Sequence, residues 1–74
     1  MPEEIDPHKV VCRLTELLAT RKMTLSSLSE LVGVSIVNLS ILKTNKAKAI
    51  RFSTLQAICQ ALDCEIGDLL TISK

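Results

Sequence analysis

The chain has 74 residues, 47% of them hydrophobic, and a formal net charge of +1. A chain of this length buries only about 60% of its unfolded surface, so it supports one core and a single domain spanning residues 1–74, with short flexible ends at 1–5 and 71–74. No apolar run approaches the roughly 18 residues needed to span a bilayer, and no charged-then-apolar leader opens the chain, so the expectation is a cytoplasmic protein away from the membrane.

Asp6 before Pro7 reads as a helix start, because the carboxylate accepts from free first-turn amides and proline suits the first helical position. The first helix is expected to run to about Arg21. Val10, Val11, Leu14, Leu17 and Leu18 form its apolar stripe, and Arg21 with Lys22 complements its negative end.

Thr24 is the next cap. It opens a short helix carrying Leu25, Leu28, Leu31 and Val32, which ends at Gly33, where glycine takes the left-handed turn. Ser35 caps a third short helix with Leu39 and Leu42 facing inward, and Asn45 after it is the residue best able to replace glycine in a left-handed position. Then comes the loop TNKAKAIRF. Ser53 and Gln56 are spaced as a capping box for a fourth helix burying Leu55, Ile58, Cys59 and Leu62, with Phe52 as a core plug ahead of it. A fifth helical turn is expected over about Ile66 to Leu70, and Thr71 to Lys74 form a tail. No stretch alternates as a strand does, so the fold class is all-α with five helices.

The second and third helices are too short to be stable alone. Leu28, Val32, Val34, Leu39 and Leu42 bring their inner faces together at a steep angle, which is the helix-turn-helix arrangement over about residues 24–44. Charge placement adds to this. Lys43, Lys46, Lys48 and Arg51 fall in a stretch between Glu30 and Asp63 that holds no acid. A charge run is most often a solvated face; here it follows the helix that would enter a major groove, where a loop passes beside phosphates. The amides after Thr24 offer a second phosphate clamp.

The stretch TLSSLSELVGVSIVNLSILKTNK, residues 24 to 46, resembles the lambda-repressor and Cro-like helix-turn-helix regulators, the XRE family. NLSILKTNKAKAIRFSTLQAICQALDCEIGDLL looks like the short stand-alone branch of that family. The resemblance implies a compact five-helix domain that binds double-stranded DNA and regulates transcription. Four positions depart from the family pattern: Leu25 for a phosphate-touching glutamine, Ser29 for alanine, Asn45 for glycine and Ile66 for proline.

The groove-facing set is then Ser35, Ile36, Val37, Ser40 and Ile41, with Asn38 and Thr44 at its margins. Isoleucine and valine read only the thymine methyl group, so Asn38 is the best base-edge candidate; its bland alternative is a bond within its own first turn. Lys43, Lys46, Lys48 and Arg51 are the phosphate candidates, together with Thr24. A homodimer on a two-fold site is expected, with Leu69, Leu70 and Ile72 as a candidate apolar patch, although packing within the monomer is the more ordinary use of the two leucines. The competing reading is a protein-interaction module that docks through Ile36, Val37 and Ile41.

An enzyme is not expected: there is one histidine, no tyrosine or tryptophan, and no glycine-rich phosphate loop. No cofactor or small-molecule substrate is implied. Cys12, Cys59 and Cys64 read as core residues of a reducing compartment, and a zinc set completed by His8 lacks the close pairing that structural zinc sites use.

Overall fold

In the computed structural model, which describes residues 9–73, a strand precedes the first helix. The order is β1 (Val10–Cys12), α1 (Leu14–Arg21), α2 (Leu25–Val32), α3 (Ile36–Lys43), α4 (Phe52–Leu62), α5 (Ile66–Leu69) and β2 (Leu70–Ile72). All five expected helices are present. The fold is nonetheless not strictly all-α, because β1 and β2 pair antiparallel with Val10 opposite Ile72, Val11 opposite Thr71 and Cys12 opposite Leu70.

These six residues favour extended backbone, and pairing them across the chain satisfies their amides while Cys12 goes into the core. Val10 and Val11 therefore do not belong to the stripe of the first helix; α1 buries Leu14 and Leu18 instead. Thr71 and Ile72, expected in a flexible tail, are strand. Asp6 and Pro7, the expected helix start, lie outside the described residues.

The core gathers Leu14, Leu28, Leu39, Ile58, Leu62 and Leu69, each fully buried. Leu31 does not join it and stands exposed on α2. Phe52 is likewise no core plug. It is 86% exposed, because Ala47 and Ile50 pack against the core just ahead of α4. Helix α4 starts one residue before Ser53, from an Arg51 cap without a side-chain bond, so the Ser53 capping box does not form.

Left-handed residues end the four longer helices: Lys22 after α1, Gly33 after α2, Asn45 just past α3 and Asp63 after α4. Asn45 fulfils its expected conformation and does more. Its side-chain oxygen accepts the Cys12 amide at 2.6 Å, which ties the end of α3 to β1 across 33 residues of chain.

That tie yields a stability prediction. Asn45→Ala strands a partly buried amide and puts a Cβ in left-handed backbone without a compensating side-chain bond, so it should cost about 2–4 kcal/mol. Asn45→Gly keeps the backbone comfortable and loses only the acceptor, so it should cost about half as much; thermal melts of both variants check the order.

Candidate nucleic-acid interface

The interface is built on the turn between α2 and α3. Thr24 accepts the Ser27 amide at 3.0 Å and so caps α2, and Gly33 at φ 72° ends it. Helices α2 and α3 then diverge by 118°, within the range expected of a helix-turn-helix. Ser29 holds that angle by donating its hydroxyl to the Val34 carbonyl at 2.6 Å. An alanine there could pack but could not make this tie.

Ser35 accepts the Asn38 amide at 3.1 Å and starts α3. From that start, Leu39 and Leu42 fall on the buried side. Ile36, Val37 and Ile41 fall on the outer side, at 47%, 68% and 41% exposure. These exposures are costly for a surface with no partner, since three apolar side chains on one short helix stay in water.

Past α3 the backbone is pinned. The Asn45 amide donates to Leu42 and the Lys46 amide to Ile41, and the Asn45 side chain holds β1. The basic loop thus leaves a fixed point and runs back along α3. Ser35, Asn38 and Ile41 from the helix and Lys46, Lys48 and Arg51 from the loop line one open groove of about 650 Å³.

Residues 13–74 match the family described as the Cro/C1-type helix-turn-helix DNA-binding domain. The chain belongs to that family. A 61-residue stretch, 82% of this chain and 73% of the relative, is 56% identical to the uncharacterized HTH-type transcriptional regulator YozG of Bacillus subtilis (strain 168). Among solved structures, the transcriptional regulator VanUg superposes with a TM-score of 0.74 at 30% identity, covering 99% of this chain and 96% of that one. The SinR/SinI complex superposes at 0.70 with 23% identity, covering 76% of this chain and 54% of that one, which is a likeness of fold.

Within this Cro/C1-type domain, several candidates sit differently from their expected roles. Thr24, Ile36, Val37, Ser40, Lys43 and Thr44 do not line the shared groove. Thr44 turns its hydroxyl back on its own helix, donating to the Ser40 and Ile41 carbonyls. Ser40 and Lys43 are half-buried, and Thr24 is exposed at the start of α2. Asn38 is exposed, and its bond within the first turn of α3 is made by its backbone N–H to Ser35 rather than by its side chain.

Of the dimer candidates, the two leucines take the alternative role of packing within the monomer. Leu69 is fully buried in the monomer core, and Leu70 is half-buried and packed against it. Only Ile72 of the three is exposed.

Three supporting contacts escaped the sequence reading. They are the Asn45 and Ser29 ties, and Arg21, whose guanidinium donates to the Leu62 and Asp63 carbonyls at the end of α4 rather than serving α1. Each joins residues far apart or across a turn; Ser29 and Asn45, which stand where the family favours alanine and glycine, gave a signal in advance, and Arg21 gave none.

The cysteines keep to the core side. Burial raises the Cys12 thiol above its ordinary value, and burial with the adjacent Cys59 pushes Cys64 up to about 11. Among the described residues no group of three or more histidines, cysteines or acids could hold a metal ion; His8 lies outside them. No single helix is long and apolar enough to cross a membrane.

Proposed function

We propose that this chain is a DNA-binding transcriptional regulator that seats α3 in the major groove and rests its basic loop on the adjacent sugar-phosphate backbone. The observation that carries the reading is the shared groove, which Ser35, Asn38 and Ile41 line together with Lys46, Lys48 and Arg51. Phosphate contacts fix register and base contacts choose sequence. In this assignment Asn38 reads a base edge, while Ser35, Ile36, Val37, Ser40 and Ile41 pack along the groove floor, the apolar ones against thymine methyl groups.

Lys43 and Thr44 border the backbone. The start of α2 at Thr24 adds a second phosphate contact through its first amides, the Ser27 amide being taken by the cap. The protein works in the cytoplasm as a homodimer on a two-fold site with half-sites about one helical turn apart. It is no enzyme and needs no cofactor, small-molecule substrate or membrane.

Fluorescence anisotropy with a mixed-sequence duplex tests this. Binding at low salt should be micromolar or tighter and should weaken steeply as salt rises, because phosphate contacts release counterions. Absence of binding at every salt concentration would instead favour a protein-docking module on the same scaffold. The observation that supports this second reading is the exposed apolar set Ile36, Val37 and Ile41.

A further inference from the structure

The basic loop has two sides. One lines the groove shared with α3, and the other closes an open, mostly apolar recess of about 340 Å³ whose walls include Val10, Leu42, Ile50 and Leu70, with Lys48 among them. Lys48, Ala49 and Ile50 line both spaces, so whatever fills the recess sits directly behind residues assigned to the DNA backbone. The recess is not closed by its own walls: Val10 is 39% exposed, and Ile50 and Leu70 are half-buried. Apolar walls left open beside a cationic loop fit an occupant that is apolar at one point and acidic around it.

The chain itself carries such a segment. Residues 1–8 lead into β1 at Val10, which is a wall of the recess, and they read MPEEIDPH, with Ile5 set among Glu3, Glu4 and Asp6. These three acids equal in number the exposed cations Lys46, Lys48 and Arg51. Reach is ample. A residue spans at most about 3.6 Å, so the five steps from Val10 to Ile5 cover up to about 18 Å, and they start within the recess.

We infer that residues 3–6 form an autoinhibitory arm: Ile5 seats in the recess behind the basic loop, and Glu3, Glu4 and Asp6 pair with Lys46, Lys48 and Arg51 in place of DNA phosphates. Exposed ion pairs are individually weak. The apolar seat gives the arm its position, and the tether at Val10 gives it a high effective concentration. An arm docked about nine-tenths of the time lowers apparent duplex affinity about 10-fold. The inference rests on the reading that this loop contacts phosphate.

Duplex binding of two arm variants tests it. Glu3→Gln, Glu4→Gln and Asp6→Asn together should raise affinity at low salt about 10-fold, and Ile5→Ser should raise it about 3-fold or more although the net charge is unchanged. Amide chemical shifts of the free protein give a second readout that needs no DNA. Both variants should move the amides of Val10, Ala47, Lys48 and Ile50, which line the recess, and leave those of Gln60 and Asp63, which line a different groove.

A gain from the charge changes with none from Ile5→Ser reduces the acids to long-range repulsion of DNA and overturns the inference, as does unchanged affinity in both variants. Unmoved recess amides overturn it too. A chain that binds duplex while its recess amides stay fixed keeps the regulator and sinks the arm. Recess amides that move in a chain binding no duplex at any salt keep the docked arm and sink the regulator, and with it the inhibitory role.

Discussion

Replacing Lys46, Lys48 and Arg51 together with alanine should lower affinity for every duplex by about 100- to 1,000-fold at 0.1 M salt and leave sequence preference unchanged. Each phosphate contact contributes about 0.9 to the slope of log affinity against log salt, so losing three should flatten that slope by about 2.7. Single alanine variants should each remove about a third of the slope change. The three side chains are exposed, so the melting temperature should move little. Arg13→Ala is the matched control, because Arg13 lines a different recess beside Glu16 and Asp68. Its salt slope should equal that of the wild-type chain. An unchanged slope in the triple variant would remove the loop from the phosphate assignment.

Leu39→Ala should be the most damaging single change to folding. Leu39 is fully buried, and with Leu42 it anchors α3 to the rest of the domain. Truncating a buried leucine costs about 2–5 kcal/mol, whereas a chain of this size has only about 4–11 kcal/mol to lose. The melting temperature should fall by about 10–30 °C. Leu39→Met conserves volume and should cost less than about 1.5 kcal/mol. Ile41→Ala, two residues on and facing outward, should change stability by about 0.5 kcal/mol or less and instead alter duplex affinity. The contrast between positions 39 and 41 tests which side of α3 faces the core. Equal destabilisation at the two positions would mean that the helix is rotated from the orientation described.

The helix-turn-helix could be read in advance because its signals are local. Thr24, Gly33 and Ser35 each bond or turn within a few residues of themselves, and the leucines of α2 and α3 repeat at helical spacing. The same local logic failed where two segments competed for one slot. Phe52 had the composition of a core plug, but Ile50 and Ala47 were nearer the opening and filled it. Val10 and Val11 fitted the stripe of the first helix, and nothing in their own neighbourhood could announce a strand partner some 60 residues away.

The proposed recognition surface divides along the same line. Lys46, Lys48 and Arg51 could be named from the absence of nearby acids. Their alignment with Asn38 depends on the Asn45 to Cys12 tie, a bond between positions that sequence spacing does not relate. Leu69 suited either a dimer patch or the monomer core by its sequence, and the fold buries it in the core.

The sequence by itself determined five helices, the sharp turn at Gly33 and a basic connector after α3, since caps, turns and periodicity act over a few residues. Tertiary structure alone decided that the ends of the chain meet as a two-stranded sheet, that the sheet and Asn45 aim the basic connector along α3, and that the uncharged side of α4 faces outward. Each of these depends on which distant surfaces exclude water from one another, and that is settled only when the whole chain is folded.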